Sequence, residues 1–270
     1  SHKFNGETTW ISQDGKFGFL IAPSFQSREY GSHNYEVADA WSKESVDDGP
    51  EFFFPEEVQF REYQIDRERK GVTATIEARP NDETKLYLRT SYNNFTDTEN
   101  RWRTIVPFED GSITAIGEGT GTVENVEGLT RRLRQREKDQ EIFGAIVGFE
   151  KLVDSWMLDG FVGISNGKET RPNETSTRFE RGDDDVSFSY SYTNPYDFAV
   201  TQTAGPSFLE ATTYDELDKI ELANESGKED SLDVALNARY DLGNDAQSYL
   251  KFGIRMRSKE KSSEVELYQF

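Results

Sequence analysis

The chain has 270 residues, with 51 acidic against 31 basic side chains and a formal charge of −20, so it lacks the basic face that nucleic-acid binding requires. Cysteine is absent and histidine occurs only at His2 and His33, which excludes disulfides, thiolate metal sites and a cysteine nucleophile, and argues against a multi-histidine metal centre. Apolar residues make up 34% and aromatics 13%, too few aliphatics for a large central core and too many aromatics for a disordered acidic chain.

The chain opens Ser1-His2-Lys3-Phe4 with neither a basic n-region nor an apolar h-region, as expected of a mature chain or one cut from something longer. No run approaches the ~18–20 apolar residues of a spanning helix, whereas the strands of a membrane barrel need only ~9–11 alternating residues. Period two dominates. A first segment, 4–11, shows it weakly. Phe17, Phe19, Ile21, Pro23 and Phe25 then alternate with small or polar residues. The same alternation predicts strands over 72–79, 86–93, 143–150, 156–163, 232–239 and 250–257, about eight in all.

Tight turns at 13–16, 80–84, 151–154 and 242–246 join these strands in pairs, with Asp-Gly, Pro-Asn-Asp and Gly-Asn supplying the bend. The connections between pairs, 31–56, 105–126 and 168–222, are long and polar. Short connections at one end and long ones at the other are the layout of an outer-membrane barrel. The charged runs 64–70 and 131–141 feed into alternating segments without a helix stop signal, so they are expected as strands that overshoot a membrane.

One parity is therefore expected to face lipid, with Phe17, Phe19, Ile21, Leu86, Leu88, Val147, Leu250, Phe252, Ile254 and Met256 on one outward face. Glu77, Arg79, Arg89, Asp159, Asp233, Arg239, Lys251, Arg255 and Arg257 fall on the other parity and are expected to look inward. The sheet is expected to be open, with 4–11 and 250–258 at opposite edges.

The run Arg69-Lys70-Gly71-Val72-Thr73-Ala74-Thr75-Ile76-Glu77-Ala78-Arg79-Pro80-Asn81-Asp82-Glu83-Thr84-Lys85-Leu86-Tyr87-Leu88-Arg89, followed by Tyr92-Asn93-Asn94-Phe95-Thr96-Asp97-Thr98-Glu99, resembles the barrel of TonB-dependent outer-membrane receptors. So do Arg134-Gln135-Arg136-Glu137-Lys138-Asp139-Gln140-Glu141, the short turn before Trp156, and Gly167-Lys168-Glu169-Thr170-Arg171-Pro172-Asn173. The branch tied to carbohydrate uptake is the nearest in texture. The resemblance implies a Gram-negative outer-membrane transport protein rather than an enzyme, without catalytic residues, metal or cofactor. It implies contact with outer-membrane lipid, with a plug domain of the same parent chain, with the TonB energy-coupling complex through that chain, and with a small-molecule or oligosaccharide ligand. No plug and no coupling box are found, so residues 1–270 are expected to be part of one barrel domain of about 22 strands. On this topology Phe270 lies at the extracellular end, and its likeness to a barrel's terminal aromatic is accidental.

Two other architectures fit the pattern: a secreted acidic β-sandwich serving as a binding or adhesion module, and a complete small outer-membrane barrel. As ligand contacts the sequence offers aromatics beyond the apolar bands: Tyr30, Tyr35, Trp41, Trp102, Tyr190, Tyr192 and Tyr196, whose faces stack on sugars or aromatic chelators, or pack the loops together. His33 reads as a plain loop residue. Asp183, Asp184 and Asp185 lack the spaced ligands of a calcium loop and read as a solvated loop tip. The sequons at Asn94, Asn173 and Asn224 and the tripeptide Arg181-Gly182-Asp183 read as chance matches.

Overall fold

The computed structural model describes residues 1–181, 186–194, 197–242 and 248–270, with Asp39 described by its backbone alone. Its strands are β1 (His2–Asn5), β2 (Thr8–Ile11), β3 (Phe17–Glu44), β4 (Phe52–Asn81), β5 (Thr84–Pro107), β6 (Ser112–Gly117), β7 (Thr120–Val126), β8 (Thr130–Val153), β9 (Trp156–Glu180), β10 (Val186–Tyr192), β11 (Phe198–Ala204), β12 (Glu216–Asp241) and β13 (Tyr249–Gln269). Two single 3-10 turns, Phe108–Asp110 and Ala211–Thr213, complete the described elements. The protein is all-β, and every strand pairing is antiparallel.

Nine strands form one sheet in the order β1-β3-β4-β5-β8-β9-β12-β13, with β2 also on β3. Because β1 and β2 follow one another along β3, the sheet is eight places wide. The edges β1/β2 and β13 do not pair, so the sheet is open and the complete small barrel is not formed. At one end its connections are tight. Gly15 takes φ +69° in the first turn, where Ser12 Oγ accepts the Phe17 amide at 3.0 Å. Two residues separate β4 from β5 and β8 from β9, and the second of these turns is closed by Asp154 at φ 54°.

Residues directly opposite one another in an antiparallel pair project from the same face. The register therefore runs one transverse row through Trp10, Phe19, Ile76, Leu88, Val147, Val162, Val234 and Met256. Neighbouring rows on that face carry Phe17, Ala78, Leu86, Phe149, Leu236 and Ile254, and Ile21, Ala145, Ile164 and Leu232. All ten residues expected on one face share it. Among the described residues no second layer covers this band: Val147 is 60% exposed, Ile254 64% and Met256 70%. Over this band the β-sandwich alternative, in which this parity fills a core between sheets, does not form. Glu77, Arg89, Asp159, Asp233, Arg239, Lys251, Arg255 and Arg257 sit on the opposite face, as their parity requires.

The far half departs from the expected loops. Most of 31–56, 105–126 and 168–222 is strand: β3 runs on to Glu44, β4 begins at Phe52, β5 reaches Pro107 and β9 reaches Glu180. The charged run 131–141 lies inside β8. Two hairpins, β6–β7 from the β5–β8 connection and β10–β11 from the β9–β12 connection, join into a second sheet, ordered β11-β10-β7-β6. The buried core lies here. Val37, Val58 and Val106 stand opposite one another on β3, β4 and β5, and Phe54, Phe108, Val123, Val126, Val186 and Phe188 close over them. This core uses the same face of the large sheet as the exposed band.

Candidate functional site

The aromatics singled out in the sequence divide among three environments. Tyr35, Trp41, Tyr190 and Tyr192 pack the second sheet against the first. Trp41 meets Tyr192 edge-on at 4.9 Å, Tyr190 stacks on Phe198 at 6.0 Å, and Tyr192 Oη donates to the Phe53 carbonyl at 3.0 Å. The Tyr35 hydroxyl donates to the Phe198 carbonyl. These four lie in strands, not loops; the rings of Trp41, Tyr190 and Tyr192 pack on one another, and that of Tyr35 on Phe60. Tyr30 lies on the polar face, flanked by Arg28 at 4.6 Å and Arg67 at 5.4 Å. Tyr196 lies outside the described residues, as do Asp183, Asp184 and Asp185.

Trp102 is the exception with open space before it. With Arg131, Leu133, Thr177, Phe179 and Tyr214 it lines a cleft of about 370 Å³. Trp102, Leu133 and Thr177 form its floor, because Trp102 opposes Leu133 and Leu133 opposes Thr177. The segment after β11 forms its wall: the Tyr214 hydroxyl donates to the Phe208 carbonyl at 2.7 Å, and Arg131 lies 5.7 Å from the Tyr214 ring centre. An indole, a phenyl ring and a guanidinium around one concavity suit a planar or ring-shaped ligand with polar edges. Among the described residues no three His, Asp or Glu side chains are placed to hold a metal ion.

On the opposite face the far half carries a charged lattice. Asp97, almost fully buried, accepts from Arg67 at 2.6 Å and from Arg136 at 3.0 Å, which holds Arg67 above its ordinary value. Glu99 meets Arg136 at 3.3 Å and Arg134 at 3.6 Å. Arg134 also reaches Glu174 at 3.2 Å, and Arg132 reaches Glu221 at 3.0 Å. Within it the register aligns Asn34, Arg61, Arg103, Arg132 and Arg178 in one row and Ser32, Tyr63, Arg101, Arg134 and Ser176 in the next. Burial pushes the Arg103 guanidinium down to about 10, and its neighbours Arg101, Arg132 and Arg61 push the same way.

Neither the Arg131–Tyr214 wall nor the arginine rows were read from the sequence. Arg132, Arg134 and Arg136 do alternate along β8, a period-two signal for one cationic face. Its meaning depends on Arg61 and Arg103 arriving beside it, which only register supplies. Searches of protein families, of curated proteins and of solved structures find no match to this chain.

Proposed function

We propose that the chain forms part of the barrel wall and the extracellular extension of a TonB-dependent outer-membrane receptor, taking up a scarce or bulky nutrient such as a carbohydrate oligomer or a metal chelate. The observation that carries this reading is the exposed apolar band and its slant. Phe19 shares a row with Met256, yet on β3 the apolar run continues six residues further, to Phe25. Phe17 shares a row with Ile254 by the same register, yet on β13 the run begins four residues earlier, at Leu250. The band thus shifts four to six residues over the six steps from β3 to β13. At ~3.3 Å per residue and ~4.8 Å per strand, that is a slope of roughly 25–35°. Barrel strands tilt by ~35–45°, and a flat slab of lipid cuts tilted strands along such a slant. Along the strand the band measures roughly 20–26 Å, the scale of the ~25 Å apolar belt of such barrels.

On this reading the polar face looks inward, toward the plug of the parent chain or a hydrated path. Energy reaches the plug through the TonB complex. The far half stands outside the membrane, where the Trp102 cleft meets ligand. The test moves charge between the two faces of one strand in the intact receptor. Arg at Phe252 or Ile254 should impair membrane assembly, at roughly 2–4 kcal/mol for a charge at mid-membrane. Arg255→Gln should assemble normally. Equal tolerance in heat-modifiability and membrane-fraction assays would sink the proposal.

A further inference from the structure

We propose that Arg101 and Arg103, at the centre of the arginine rows on the polar face, bind a small solute through one or two oxyanion groups, carboxylate or phosphate. Five guanidiniums meet there on three adjacent strands: Arg61 on β4, Arg101 and Arg103 on β5, Arg132 and Arg134 on β8. The outer three have carboxylates, Glu36 for Arg61 at 2.5 Å, Glu221 for Arg132, and Glu99 and Glu174 for Arg134. Among the described residues no carboxylate lies within ion-pair distance of Arg101 or Arg103. What Arg103 has instead is the neutral Gln59 Oε1, at 3.2 Å, which Arg61 also uses, at 2.5 Å from Nη2. The Arg103 Nε is buried and donates to nothing.

A lattice that pairs its rim and leaves its two central guanidiniums without a carboxylate at ion-pair distance has room in its charge balance for an anion. The guanidinium fork fits carboxylate and phosphate oxygens in pairs. An extended acidic protein surface laid on this face would meet the rim carboxylates Glu36, Glu99, Glu174 and Glu221, a repulsion that a small anion at the central pair does not incur. The net charge of −20 gives no long-range attraction, so recognition is local.

The role of the bound anion as cargo or cargo handle rests on the receptor reading; its chemistry rests on the register and the ion pairing of the arginine rows. The experiment is calorimetric titration of the detergent-solubilised chain with citrate and, separately, tripolyphosphate, at constant ionic strength with chloride as the control. Saturable binding of at least one, weakened tenfold or more in Arg103→Gln and in Arg101→Gln but unchanged in Arg255→Gln, is expected. Arg103→Lys, which keeps the charge and loses the fork, should fall between. Citrate binding alone identifies a carboxylate ligand, and tripolyphosphate binding alone a phosphoryl one. No saturable binding of either at about 10 mM, well above ordinary ligand dissociation constants, or equal binding by wild type and both Gln variants, overturns the proposal. Binding without membrane assembly would leave this site standing and the receptor reading fallen, and assembly without binding would do the reverse.

Discussion

The two halves of the large sheet use the same strands and the same face in opposite ways. Near the tight turns that face holds Phe17, Leu86, Val147 and Met256 in the open. Eighteen residues further along β3, from Phe19 to Val37, and along β4, from Ile76 to Val58, it lies under a second sheet. One half is covered by the chain's own hairpins, and the other is left exposed. The contrast teaches that exposed apolar area here is a property of position along the strand, since this sequence can cover such a face where it has hairpins to do so.

The comparison breaks most sharply at Phe108, which is fully buried and lies 5.5 Å from Phe188 and 6.0 Å from Tyr190. Phe108→Ala should cost the far half roughly 3–5 kcal/mol, read as loss of hydrogen-exchange protection in β6, β7, β10 and β11. Protection of β12 and β13 near the turns should not change; if it falls equally, the halves are one cooperative unit.

A smaller effect is expected at Gly121, where an added Cβ would sit 2.5 Å from the Tyr190 ring. Gly121→Ala should lower stability by roughly 1–3 kcal/mol by overpacking. Gly227 on β12 has nothing within 4 Å of its Cβ position, and Gly227→Ala should change stability by less than about 0.5 kcal/mol. Chemical denaturation of the two variants side by side tests this.

The smallest effect concerns the Tyr190 hydroxyl, which is buried without a partner. Tyr190→Phe should stabilise the far half by about 1 kcal/mol. Burial raises the Tyr190 phenol, with Tyr192 adding to it. The folded state therefore keeps its proton where the unfolded chain, at about 10, loses it. Stability is full below pH ~10 and declines as pH rises beyond it. The variant should flatten that decline, and an unchanged slope between pH 9.5 and 11 would refute the assignment.

The near half was legible in the sequence because burial on one side only imposes strict alternation, and the facing partners of Leu86 or Ile254 obey the same rule. The charged run of β8 was legible as strand because nothing in it signals a helix end. Parts of the far half hid for physical reasons. Phe52-Phe53-Phe54-Pro55 is apolar without alternation, and Pro55 sits opposite Trp41 at a register shift, where a strand tolerates proline. Val186, Phe188, Tyr190 and Tyr192 do alternate with serines, but their partner β7 lies some sixty residues earlier, a pairing no local pattern announces. For the same reason the candidate aromatics were visible as a set while their mutual packing was not.

The slant of the apolar rows carries a geometric consequence for any strand that would join the two free edges. A drift of four to six residues in six steps is about one residue of stagger per strand. A sheet that keeps this stagger cannot return to its starting strand level with where it left. Its seam must be offset by about as many residues as the ring has strands, so hydrogen bonds followed around the wall trace a helix.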